Sequence, residues 1–102
     1  MQVRHADDAL FFVAIADAGS LARAARTLGV AASTLSRRLS LLEQRLGVIL
    51  VSRTTRALRL TEVGVAYLDR ARAMVTALAD AEAVATSIGR KPRGKLRVAA
   101  PP

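Results

Sequence analysis

A mainly α-helical fold with one short β-hairpin follows from three features of the sequence. Residues 20–47 hold a short Ala-rich segment, a glycine, and a longer segment with Leu35, Leu39, Leu42 and Leu46 spaced four, three and four. That spacing lines up one side of a helix. Residues 49–61 change character: Ile49-Leu50-Val51 is apolar, Leu58-Arg59-Leu60-Thr61 alternates with period two, and Arg53-Thr54-Thr55-Arg56 lies between them. Beyond Thr61 a heptad seam runs through Tyr67, Ala71, Met74, Leu78, Ala81, Ala85 and Ile88. The three together predict a winged helix-turn-helix with a long C-terminal linker helix that serves for dimerisation.

The helices follow in order. Asp7 and Asp8 suit the start of a helix, with its positive dipole end, and place the first helix at about 8–18, ended by Gly19. Leu10 or Phe11, Val13 or Ala14, and Ile15 leave more than one of its faces apolar, so it forms the buried centre of a small bundle. Ser20 caps a second helix over about 21–28, whose inward row is Leu21, Ala25 and Leu28; Ala24 and Ala25 let a neighbour approach closely. Arg23 and Arg26 lie off that row, facing a phosphate backbone or water. Gly29 takes the positive φ of a helix C-terminus, and Val30 plugs the turn.

The third helix spans about 32–46 and ends at Gly47. Opposite its leucine stripe, at about 100° per residue, gather Ser33, Ser36, Arg37, Ser40 and Gln44, flanked by Thr34, Arg38 and Arg45. Its start lacks a side-chain cap, because Ala31 and Ala32 stand there. The wing covers about 50–60, with a polar, basic tip and no Gly, Pro or Asn in its turn. Thr61 caps the last helix, which runs over about 62–88 with Glu62 in its first turn. Gly89 breaks it, residues 89–94 read as a linker, and Lys95-Leu96-Arg97-Val98-Ala99-Ala100 alternates like a first strand. Three segments result: a winged helix-turn-helix at 1–61, a linker and dimerisation helix at 62–88, and at 89–102 a hinge with the first strand of a further domain.

Composition narrows the chemistry. The 102 residues contain no cysteine, so neither a disulfide framework nor a thiolate metal site is available. No apolar run approaches a membrane span, and no N-terminal leader pattern is present, which fits a cytoplasmic protein. The formal net charge is +8, and fourteen of the sixteen basic residues are arginine. Between Arg23 and Arg59 there are eight arginines and one acid, Glu43. Such a basic, ordered half fits a polyanion partner, although charge alone does not separate this from a solvated basic face. His5 is the sole histidine and has no neighbouring nucleophile or metal cluster, so no enzymatic site and no cofactor are expected.

The third helix tips the balance toward duplex DNA. Small hydroxyl residues near its start let it sink into a groove, Arg37 can donate two hydrogen bonds to guanine O6 and N7, and Ser33, Thr34 and Ser36 can reach bases or phosphates. A basic wing reaches flanking backbone or the minor groove. A helical oligomerisation or adaptor module with an incidental basic face, which self-associates without salt-sensitive duplex binding, is the competing class. RNA binding lacks the exposed aromatics it uses.

On these residues the chain resembles the N-terminal DNA-binding region of LysR-type transcriptional regulators. The similar stretches are Gly19-Ser20-Leu21 with Ala24-Ala25 and Leu28-Gly29-Val30, then Ser33-Thr34-Leu35-Ser36-Arg37-Arg38-Leu39, Leu42-Glu43 and Leu46-Gly47. Arg53-Thr54-Thr55-Arg56, Leu60-Thr61-Glu62-Val63-Gly64 and Leu96-Arg97-Val98 follow. The chain departs from the family pattern at Ala9, Ala31 and Ala32. The resemblance implies sequence-specific binding of double-stranded DNA. Ser33, Thr34, Ser36, Arg37 and Arg38 would face DNA from the helix, and Arg53, Thr54, Thr55 and Arg56 from the wing. It also implies a homodimer through the linker helix, a tetramer of the full-length protein, and a small-molecule effector bound by a C-terminal domain outside this chain.

Overall fold

The computed structural model describes residues 3–53 and 57–90, with side chains from His5 onward. Its elements are α1 (Val3–Ala18), α2 (Leu21–Leu28), α3 (Ala32–Leu46), β1 (Val51–Ser52), β2 (Arg59–Leu60) and α4 (Glu62–Arg90). The two strands pair antiparallel, Val51 opposite Leu60 and Ser52 opposite Arg59. The wing tip at residues 54–56 and the segment from 91 onward, including the expected first strand, lie outside the described residues.

One core cluster joins the first three helices to the wing: Phe12, Ile15, Leu39, Leu42 and Leu50 are fully buried there, with Ala24 and Ala25 beneath them. Burying each large side chain contributes about 1.5–3 kcal/mol, while the alanines set how closely α2 approaches α1. Ser20 accepts the Arg23 N–H at 3.0 Å and so caps α2. Gly29 closes it at φ 71°, a left-handed conformation that costs glycine nothing. The wing is tied to this bundle through its backbone, the Leu58 N–H donating to the Gly19 carbonyl at 3.1 Å, and its two arms are closed by the Thr61 N–H donating to the Leu50 carbonyl at 2.9 Å.

Four expectations need correcting, all of them at helix ends or turns. α1 begins at Val3, so Asp7 and Asp8 lie inside it rather than at its start. Leu28 is 48% exposed and Val30 also faces outward, because the turn at Gly29 carries both away from α1; Ala24 takes the inward place beside Ala25. Leu46 likewise leaves the leucine stripe on the last turn of α3. α4 continues through Gly89 to Arg90. A glycine inside a helix costs about 1 kcal/mol but ends it only by turning to positive φ, and among the described residues only Gly19, Gly29 and Gly47 do so. Arg72 of α4 ion-pairs with Asp17 of α1 at 2.6 Å.

The first part of α4 belongs to the chain's own domain. Tyr67 meets Phe12 edge-on, ring centroids 5.2 Å apart, and Ala71 is buried against Ala9 and Val13, with Met74 partly covering the same cluster. Burial pushes the Tyr67 phenol above its ordinary pKa; the positive charge of Arg45 opposes this and the negative charge of Asp8 adds to it. The heptad seam is therefore divided. Tyr67 and Ala71 are spent within the protomer, whereas Leu78, Ala81, Ala85 and Ile88 are exposed. Ala9 is buried in the same small cluster as Val13 and Ala71.

Candidate nucleic-acid interface

Helix α3 is held along both edges, and its exposed face is what remains between them. Leu35, Leu39 and Leu42 anchor it from below. On one edge Asp8 of α1 pairs with Arg38 at 3.5 Å and with Arg45 at 3.1 Å. Arg38 also donates to the Asp7 carbonyl at 3.3 Å, and its guanidinium lies 4.5 Å from the Phe11 ring centroid. On the other edge Arg53, the residue after β1, donates through Nη1 to Ser40 Oγ at 2.9 Å and to Ser36 Oγ at 3.5 Å, and through Nη2 to Glu43 Oε1 at 3.0 Å.

Glu43 is the residue that sequence reasoning passed over. It is the lone acid of the basic half, it is 7% exposed, and it does three jobs with two oxygens. Oε2 accepts the Leu50 N–H at 2.7 Å and the Val51 N–H at 3.1 Å, while Oε1 holds Arg53. A buried carboxylate is tolerated only when its lone pairs are filled in this way. One signal was available: a single acid on a helix otherwise decorated with arginine and serine needs an internal partner.

Between these edges, Ser33, Thr34, Arg37 and Gln44 are exposed. Ser36 and Ser40 are half-buried and turned toward the wing, and Arg38 leans on α1. Arg37 is exposed and its guanidinium has no acceptor among the described residues, which leaves its donors available. Thr54, Thr55 and Arg56 fall outside the described residues. The N-terminus of α3 is uncapped by any side chain. Ala31 sits at φ −71°, ψ 143°, the extended conformation a capping residue takes. Ala31→Ser should therefore stabilise the domain by about 1 kcal/mol and raise Tm by about 4–8 °C. An unchanged thermal midpoint would show that solvent already satisfies those N–H groups.

A long helix leaves the domain behind this face. Of the 29 residues of α4, those beyond Val75 are exposed, with Leu78, Val84 and Ile88 uncovered.

Fold and site together define a winged helix-turn-helix domain whose recognition helix is clamped between α1 and the wing. Residues 7–65 match the family of bacterial regulatory helix-turn-helix proteins of the lysR family, and the chain belongs to that family. It is 45% identical over 87 residues to a helix-turn-helix-type transcriptional repressor of Pseudomonas aeruginosa, a match that covers 85% of this chain and 27% of that protein. It is 40% identical over 94 residues to the transcriptional regulator CrgA of Neisseria meningitidis, covering 92% of this chain and 31% of CrgA. The chain thus spans less than a third of these relatives' length. Among solved structures it is similar to the CbnR DBD–DNA complex, with a TM-score of 0.71 and 31% identity over 88% of this chain and 100% of that one.

Proposed function

We propose that this chain binds double-stranded DNA sequence-specifically as one half of a two-fold transcriptional regulator. The carrying observation is the exposed face of α3, with Ser33, Thr34 and Arg37 outward and unspent while the residues on either side are bound to the scaffold. α3 enters the major groove, Arg37 reads a guanine through two hydrogen bonds, and Ser33 and Thr34 contact base edges or phosphate. The wing residues Thr54, Thr55 and Arg56 lie on flanking backbone or minor groove. Arg38, with one side of its guanidinium on Phe11 and Asp8, offers the other side to a phosphate. The arginines supply most of the affinity and its salt dependence, and α3 supplies specificity.

The distal half of α4 supports a homodimer. Leu78, Ala81, Ala85 and Ile88 form the seam with a second copy, and Met74 stands where the seam leaves the protomer's own core. Tyr67 and Ala71 contribute by seating the helix, not by touching the partner. Two such domains place their recognition helices in successive major grooves about 34 Å apart. In the longer protein that the relatives' length implies, a tetramer and a small-molecule effector domain follow. The protein acts by binding, not catalysis, in the cytoplasm; among the described residues no helix is long and apolar enough to cross a membrane.

Arg37→Ala tests the reading. It should weaken binding to a duplex selected from a random pool by about 1–3 kcal/mol and relax the preference at one base position. Equal weakening on selected and random duplexes would make Arg37 a phosphate contact and remove it from base reading.

A further inference from the structure

We propose that Arg53 is a positioning residue that fixes the wing to the recognition helix, and not itself a DNA contact; this rests on the DNA-binding reading above. Its guanidinium lies along one edge of α3, where Ser36, Ser40 and Glu43 follow at the four- and three-residue spacing that stacks side chains on a helix face. Ser40 and Glu43 take its two Nη groups at 2.9 and 3.0 Å, with Ser36 at the outer limit of 3.5 Å. A planar fork with two separate acceptors fixes direction as well as distance, which a point charge does not.

The same Glu43 carboxylate receives the Leu50 and Val51 N–H groups. Helix, strand and side chain therefore meet in one closed network: Glu43 holds β1 at its first residue, and Arg53 returns from just past the strand's end to the same carboxylate. β1 has only two residues, paired with two of β2. So short a ladder cannot set its own direction from the helix. The Arg53 fork does this for β1. This reassigns Arg53 from the DNA-facing role that its place in a basic wing suggests. Its two Nη groups donate inward to Ser40 and Glu43, which leaves Arg56 as the wing arginine that the DNA-binding reading assigns to the duplex.

The test measures duplex affinity over a salt series for the parent chain, Arg53→Gln and Arg53→Lys, with hydrogen exchange of the free proteins alongside. The duplex is one selected by the parent chain from a random pool. Arg53→Gln should lower affinity about tenfold at every salt concentration with the slope of log K against log salt unchanged. Loss of a phosphate contact would instead shift that slope by about 0.9. Arg53→Lys keeps the charge but not the fork, so it should resemble Arg53→Gln and not the parent. In both variants the Leu50, Val51 and Ser52 amides should exchange about tenfold faster while those of Phe12 and Ile15 are unchanged. A slope lowered by about 0.9 in Arg53→Gln, restored together with affinity in Arg53→Lys, would overturn the proposal and make Arg53 a phosphate contact. Wing amides that keep their protection would overturn it as well. If the parent chain shows no salt-dependent duplex binding, the DNA reading itself fails and the proposal with it, a pattern distinct from either of these.

Discussion

Glu43→Ala should cost about 3–5 kcal/mol of unfolding free energy, the range for removing one partner of a buried ionic network. The loss has two parts. The Leu50 and Val51 N–H groups, 2.7 and 3.1 Å from the carboxylate, are left buried without an acceptor, and an unmade buried hydrogen bond costs about 1–3 kcal/mol. Arg53 also loses the partner 3.0 Å from Nη2; since Arg53 is itself partly exposed, solvent recovers much of that part. Domains of this size have about 5–15 kcal/mol in total, so the variant should be partly unfolded at growth temperature. Glu43→Gln keeps one carbonyl acceptor but replaces the other oxygen with a donor, and should fall between the two. Urea unfolding at neutral pH reads both. A loss under about 1 kcal/mol for Glu43→Ala would mean that the wing's first residues find other acceptors.

The second large effect is expected at Gly64, from a change that helix propensity alone would favour. Alanine is better than glycine inside a helix by about 1 kcal/mol. At Gly64, however, an added Cβ would fall on the Leu50 carbonyl oxygen, inside van der Waals contact, with the rest of the Leu50 backbone behind it. No rotamer change can relieve a clash with backbone. The strand must move, and moving it strains the Thr61 N–H bond to the Leu50 carbonyl at 2.9 Å and the Thr61 hydroxyl bond to the Ile49 carbonyl at 2.6 Å. Thr61 also caps α4 through the Gly64 N–H at 3.0 Å. Overpacking of this kind costs about 1–3 kcal/mol or more, so Gly64→Ala should be destabilising on balance. Gly89→Ala is the internal control: nothing lies within 4 Å of its Cβ position, and the change should be neutral or mildly stabilising. Equal thermal midpoints for the two variants would remove the close approach at Gly64 as a cause.

Much of the fold was legible because it depends on local chemistry. The leucine spacing and Gly47 place the third helix at about 32–46, and α3 is Ala32–Leu46. Its ends are set by an uncapped start and by Gly47 at positive φ, both visible as residue types. The hairpin is legible from its change of hydrophobic period, whereas its register, Val51 opposite Leu60, is supplied by the structure. The helix ends were less legible. Leu28, Val30 and Leu46 fit an apolar pattern, but the last turn of a helix points wherever the following chain takes it. Gly89 shows the converse, since a residue that permits termination does not compel it.

The recognition face was half legible. Periodicity places Ser33, Ser36, Arg37, Ser40 and Gln44 on one side of a helix, and that geometry is local. Which of them stay free depends on what comes alongside. Ser36 and Ser40 are turned toward the wing by Arg53, and Arg38 is drawn to α1 by Asp8, partners 31 residues or fewer away in sequence but unpaired by any local rule. The seam of α4 divides for the same reason. A stripe of apolar residues repeats identically whether its partner is the same chain or another, so spacing alone could not show that Tyr67 and Ala71 are covered by Phe12, Ala9 and Val13.

The sequence by itself determined the helices, the wing and the basic, serine-rich face, because propensity, capping and period act within a few residues. Only the tertiary structure decided the role of Glu43 as the joint between helix and wing, the commitment of Arg53 to that joint, and the point along α4 where the protomer's own core ends. Those assignments depend on burial and on the direction of donors and acceptors. Both arise only when segments distant in sequence are brought together and water is removed from between them.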